Sequence, residues 1–298
     1  MVALNNIKDN RKAYFLAALA ILFWSTAATA FKLALSQLHL IPVLAIATLT
    51  SLFLLFVFIL FSNKLALLKD LTIKDYYYSA LLGLLNPFVY YLVLFKAYSL
   101  LPAQVAQPLN FIWPIVLVIF TAMLFRRKLS VISIAALFIS FTGVYFISSE
   151  GKLFDFEFSS PAGIALALGS SVFWALYWVL NLKDKKDTLI KLFMNFLFAS
   201  VYLLVLIMLT RPYDLNPEGV FYSMYIGCFE MGFTFIIWLK ALEMIDKSEK
   251  ISNLIYLTPF FSLVFIHLIL EEQIYVTTFI GLVIIIGSII FQQKLENH

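Results

Sequence analysis

The chain is patterned as long apolar stretches punctuated by short polar ones. Residues without Asp, Glu, Lys or Arg run over 13–31, 33–63, 76–95, 97–125, 129–149, 158–182, 192–210, 251–270 and 273–293; a tenth stretch, 219–239, is interrupted by Glu230 alone. A helix needs about 20 apolar residues to cross a hydrocarbon core of about 30 Å. The pattern therefore predicts ten membrane-spanning helices near 14–36, 41–62, 75–98, 103–125, 130–148, 161–182, 190–209, 219–242, 250–270 and 273–292. Spanning strands would be about 9–11 residues long and would alternate apolar with polar positions. These runs are longer and apolar on every face, so the predicted class is all-α.

Composition agrees. Hydrophobic residues make up 63% of the 298 positions and charged ones 13%, against about 45–50% and about 25% in a soluble domain. With a mean hydropathy of +0.96, the chain lacks the polar surface to cover a water-soluble globule. The connections are too short to hold a separate soluble domain. The single cysteine, Cys228, has no internal partner and says nothing about redox compartment.

Charge then sets direction, since Lys and Arg concentrate in cytoplasmic loops. With ten spans and the N-terminus inside, sixteen basic residues fall on one side, at 8, 11, 12, 64, 69, 74, 126, 127, 128, 183, 185, 186, 191, 247, 250 and 294. The other side carries two, Lys152 and Arg211. Both termini are expected in the cytoplasm. Lys8, Arg11 and Lys12 ahead of an apolar run ending in Ala28-Thr29-Ala30 imitate a secretory signal. The run is long enough to span and is expected to be retained as the first helix.

The two halves repeat. Gly83-Leu84-Leu85-Asn86, with Phe95-Lys96-Ala97 after it, matches Gly227-Cys228-Phe229-Glu230 and Leu239-Lys240-Ala241 at an offset of 144. Phe111-Ile112-Trp113-Pro114 matches Tyr256-Leu257-Thr258-Pro259 at 145, Gly143 matches Gly287 at 144, and Phe23-Trp24 matches Phe173-Trp174 at 150. Five helices per copy is an odd number, so the second copy crosses the membrane in the opposite sense. The expected units are a first repeat over 1–149 and a second, inverted one over 150–298. Inverted repeats are common in secondary transporters, whose two halves can exchange conformations around a central site.

These residues resemble the drug/metabolite transporter superfamily, in its ten-helix EamA-type branch. The similarity covers residues 13–293 and rests on Phe23-Trp24-Ser25-Thr26 with Lys32, Leu109-Asn110-Phe111-Ile112-Trp113-Pro114, Phe173-Trp174-Ala175-Leu176-Tyr177 and Leu257-Thr258-Pro259. The Trp-Ser-Thr start and the Asn-aromatic-x-Trp-Pro stretch are most similar to the aromatic amino-acid exporters. The resemblance implies export of amino acids or related small metabolites across a bacterial inner membrane. It leaves open S-adenosylmethionine, nucleotide-like compounds or drugs, and exchange or uniport. One departure stands out: Arg126-Arg127-Lys128 replaces the acidic residue of many relatives, whereas Glu271-Glu272 keeps it in the second half.

Ionisable residues inside a membrane are costly and are functional candidates by default. Glu230, near the middle of the eighth helix, either meets a substrate amine or carries a coupling proton; the alternative is a structural carboxyl bonded between helices. Gly227 and Thr234 are expected on its face. Its repeat partner, Asn86, is expected on the opposite wall of one cavity. Lys32 either holds a substrate carboxylate, pairs with Glu230, or snorkels outwards on its aliphatic stem; Lys96 and Lys240 read as snorkelling residues.

Asn86 and Tyr90 are expected on one face of the third helix, and Gln107, Asn110 and Pro114 on one face of the fourth. Buried amides need partners, so such a stripe implies a wet cavity or interhelical bonds. Pro87, Pro108, Pro114 and Pro259 each remove a backbone donor and mark bending points. Trp24, Trp113, Trp174 and Tyr256 fall on repeat-matched positions; with Ser25 and Tyr177 from the motifs above they complete the candidate pocket. Asn195 reads as interhelical glue and His267 as a local partner of Glu271.

The chain has no phosphate-binding glycine loop, no metal-ligand spacing and no nucleophile elbow. The expectation is a non-enzymatic transporter that needs no cofactor and binds no nucleic acid. Its partners are the bilayer, a small-molecule substrate and possible coupling protons through Glu230.

Overall fold

The computed structural model describes residues 10–124, 126, 130–153, 159–181, 183–210, 213–244 and 253–296. Lys8, Arg127, Lys128, Arg211, Lys247 and Lys250 of the charge count lie outside them. Among the described residues there is no strand, and nine helices are long and apolar enough to span: α1 Asn10–Gln37, α2 Leu40–Phe61, α3 Ile73–Leu100, α4 Ala103–Leu124, α5 Val131–Ser148, α6 Pro161–Asn181, α7 Thr188–Leu209, α8 Pro217–Leu242 and α10 Val276–Leu295. The shorter α9, Leu254–Leu270, completes ten. It opens with a 3-10 stretch, Asn253–Leu257; residues 250–252 of its expected start are outside the described chain.

Polar residues between the apolar runs start the helices. The Asp187 carboxylate accepts from the backbone N–H of Leu189 and Ile190, Asn216 Oδ1 from Gly219 at 2.7 Å, and Ser130 Oγ from Ser133 at 3.0 Å. Thr72 and Asp75 form a capping box on α3. Each side chain satisfies amide donors that the first helical turn leaves open. Phe53, Phe138 and Met208 are exposed on the outer surface, as suits contact with lipid rather than water.

Packing is exchanged between the halves. Helix α1 lies against α8 and α9, and its counterpart α6 lies against α3 and α4; α2 packs on α7, and α5 on α10. Two glycine contacts show the same exchange. A Cβ on Gly83 would stand 2.3 Å from the Asn195 carbonyl oxygen of α7, and one on Gly227 2.4 Å from the Ala47 carbonyl oxygen of α2. Only glycine permits backbones this close, the small-residue packing typical of membrane helices. In the α5–α10 pair a Cβ on Gly143 would stand 2.7 Å from Gly281 O, and Ser140 and Ser288 share a 2.5 Å hydrogen bond. Gly287, which the sequence pairs with Gly143, has open space where its Cβ would be; its match in spacing is not a match in packing.

Candidate functional site

Both repeats break their third helix at the matched place. Leu84–Val89 in α3 and Gly227–Gly232 in α8 are π-helical turns, each one residue wider than an α-turn and a form often found at functional sites. In α3 the break includes Asn86 at φ −148°, ψ 122°, followed by Pro87 through a cis peptide. A second matched pair of breaks lies at Phe111-Ile112 in α4 and at the 3-10 stretch that opens α9, next to Pro114 and Pro259.

The widened turn in α8 is held from the first repeat. Ser51 donates to the Gly227 carbonyl oxygen at 2.6 Å. Trp24 Nε1 donates to the Glu230 carbonyl oxygen at 3.3 Å, and the Tyr91 hydroxyl to Glu230 Oε1 at 3.0 Å. Thr234 closes the turn on the Phe229 carbonyl oxygen. Contrary to simple helical spacing, Gly227 does not share the face of Glu230: Gly227 meets α2, while Glu230 lines a central cavity.

That cavity measures about 420 Å³ and is walled by both halves. Of the sequence candidates, Trp24, Tyr90, Gln107, Asn110, Trp113, Trp174, Glu230 and Tyr256 line it. Tyr90 donates to Asn110 Oδ1 at 3.3 Å, Asn110 to Ser170 Oγ at 2.7 Å, and Gln293 to the Tyr256 hydroxyl at 2.5 Å. Gln107 Oε1 and Thr258 Oγ1 are buried without a hydrogen-bond partner.

Four candidates lie outside the cavity lining. Ser25 is fully buried and donates to the Ile21 carbonyl oxygen, with Thr258 O at 3.2 Å. Lys32 Nζ donates to the carbonyl oxygens of Tyr98 and Leu101, both at 3.0 Å, which places its ammonium on the carbonyl end of α3, the favoured end for a cation. Asn86 is buried with Oδ1 unpartnered. Tyr177, also buried, accepts from Asn195 Nδ2 at 3.3 Å. The expected pairing of Asn86 and Glu230 across one cavity is therefore not what forms. An inserted residue turns the helical face by roughly 100°, so Asn86 and Tyr90 separate and only Tyr90 reaches the cavity.

Several lining residues escaped the sequence reading: Phe31, Tyr98, Trp178, Phe235, Trp238, Thr258 and Gln293. Trp178 was accessible through its four-residue spacing from Trp174, which puts two indoles on one face. The rings form a continuous aromatic wall, with centroids 5.8 Å apart for Trp174–Trp178, 6.2 Å for Trp174–Phe235, 5.7 Å for Phe235–Trp24 and 5.3 Å for Trp24–Trp238.

The start of α4 is tied to the α9–α10 turn. The Glu272 carboxylate, in the α9–α10 turn, accepts from the N–H groups of Ala103 and Gln104 at 2.9 and 3.1 Å, capping α4. Gln104 in turn donates to the Gln273 carbonyl oxygen at 2.8 Å and accepts from Tyr275 N at 2.9 Å. His267 Nδ1 pairs with the Glu272 carbonyl oxygen at 3.0 Å, not with Glu271. Among the described residues no group of His, Cys, Asp and Glu is arranged to hold a metal ion.

Comparison with known proteins agrees with this architecture. A Clostridium kluyveri protein described as an uncharacterized transporter is 28% identical over 290 residues, covering 94% of this chain and 93% of the relative. An uncharacterized transporter of Archaeoglobus fulgidus is 29% identical over 163 residues, 52% of this chain and 55% of that one, so the match spans about half of its length. The uncharacterized transporter YvbV of Bacillus subtilis is 26% identical over 214 residues, 70% of this chain and 68% of its own. A solved crystal structure shares the fold with a TM-score of 0.65 at 19% identity, over 95% of this chain and 96% of that one. The model of the EamA-like transporter family matches twice, over residues 11–149 and 161–292. This multi-pass membrane protein belongs to the EamA-like transporter family.

Proposed function

We propose that the chain is a secondary transporter that exports small amphipathic metabolites, amino acids and related amines among them, across the bacterial inner membrane by alternating access. The observation that carries this reading is the cavity itself, walled by both repeats. Matched breaks in α3, α8, α4 and α9 supply places where each half can bend. Proton coupling would run through Glu230, the acidic group at the cavity wall. Both termini face the cytoplasm in this reading, by the sixteen-to-two distribution of basic residues, and the two inverted units are 1–149 and 150–298.

Counterflow in proteoliposomes tests it. Vesicles loaded with unlabelled compounds are expected to accumulate the labelled counterpart, saturably, for one class in a panel of amino acids, amines, S-adenosylmethionine and nucleosides. An imposed pH gradient should then change net flux of that compound. No counterflow with any member, from protein shown to be folded, would remove the amino-acid and amine assignment. Flux indifferent to the pH gradient would remove the proton.

A further inference from the structure

The cavity is chemically one-sided. Among the described residues that line it, Glu230 is the one acidic or basic side chain. Lys32, the natural partner for a substrate carboxylate, has its ammonium on the Tyr98 and Leu101 carbonyl oxygens instead. The Glu230 carboxylate takes one hydrogen bond, from Tyr91, at Oε1. The same cavity is lined by the indoles of Trp24, Trp174 and Trp238 with the ring of Phe235. Ring faces attract cations through their quadrupole, most strongly where water is excluded. A buried carboxylate favours a cation and disfavours a second carboxylate for the same electrostatic reason.

From this juxtaposition we infer that the cargo is an organic cation: an ammonium group borne on an aromatic or branched apolar body, with no free carboxylate. The inference rests on the carrier reading above and narrows it from amino acids to amines. The ammonium sits against Glu230, the apolar body lies along the indole wall, and among the described lining residues none offers a positive charge to an anion.

The test is a charge series on one ring: phenethylamine, phenylalanine and 3-phenylpropionate, titrated calorimetrically into purified wild-type protein at neutral pH. Phenethylamine is expected to bind at least tenfold more tightly than phenylalanine, and 3-phenylpropionate not measurably. Glu230→Gln should abolish the preference for phenethylamine; if that variant does not fold, the wild-type ranking decides alone. Phenylalanine binding as tightly as the amine, tighter binding of 3-phenylpropionate, or no binding by any of the three would overturn the inference. Counterflow on the wider panel separates the two failures. Transport of an amino acid without amine selectivity leaves a carrier whose cargo class is wrong, whereas amine binding without counterflow of any compound leaves a cation site and no carrier.

Discussion

The Leu84–Val89 and Gly227–Gly232 turns are both π-helical and have opposite chemical fates. Each has a glycine at its start, Gly83 just before one and Gly227 opening the other, pressed against the second helix of the other repeat. Each carries a polar residue three positions after that glycine, Asn86 in one and Glu230 in the other. The turn in α8 delivers its side chain to the cavity, with Trp24, Tyr91 and Ser51 holding the backbone and carboxylate. The turn in α3 buries Asn86 near Tyr177 and Asn195, away from the cavity, with Oδ1 unpartnered. The repeat thus supplies two bends and one charge. The first-half polar residue therefore plays no part in the cavity's charge, which comes from Glu230 among the described lining residues.

The sharpest way to break the equivalence is through the glycines. Gly83→Ala and Gly227→Ala each put a Cβ into a carbonyl oxygen of a neighbouring backbone that cannot swing aside. Each is expected to cost about 3 kcal/mol, at the upper end for overpacking, measured as a loss of thermal stability in detergent. Equal losses support two turns with one structural role. A harmless change at either glycine would mean that the close approach is not shared and that the two bends are unrelated.

Truncating the two polar side chains divides structure from transport. Glu230→Ala is expected to lower counterflow at least tenfold, because it removes the one acidic or basic side chain among the described lining residues. Asn86→Ala should leave counterflow within about twofold of wild type and lower stability by about 1 kcal/mol, the usual scale for a buried polar group with incomplete hydrogen bonding. A transport defect at Asn86 as large as that at Glu230 would mean that the first-half turn reaches the cargo in another conformation.

Much of this was legible in the sequence, and the exceptions have physical causes. Charge-free runs sufficed for ten helices because hydrocarbon tolerates little else, and the offset of 144 picked out both π-turns as matched segments. Their widened geometry left no trace in apolar periodicity, since helices buried on one side and lipid-coated on the other lack a polar face to fall out of phase. That is why Asn86 and Tyr90 were expected together. Lys32 was left with several readings for another reason. An ammonium near the end of an apolar helix has no sequence-visible partner, and the carbonyl oxygens it meets at Tyr98 and Leu101 belong to the end of a helix more than sixty residues away. Trp178 and Trp238 were hidden by abundance among 31 Phe, 15 Tyr and 5 Trp, where a single ring carries no signal of its own.

The smallest effect is expected where the two turns differ by one hydroxyl. Ala47 and Asn195 supply the carbonyl oxygens that face Gly227 and Gly83, and one helical turn on stand Ser51 and Ala199, both fully buried. Ser51 donates to the Gly227 carbonyl oxygen, and Ala199 has no side-chain donor to do the same for Gly83. Ser51→Ala makes the second-half turn like the first. It should cost about 1 kcal/mol of stability while leaving amine affinity within about twofold, because the hydroxyl touches the backbone of the turn and not the cavity. A stability loss with unchanged affinity would assign Ser51 to holding the bend. A larger loss of affinity than of stability would show that the width of this turn sets where the Glu230 carboxylate sits, and the chemistry of the first-half turn would then be the tolerant version of the same device.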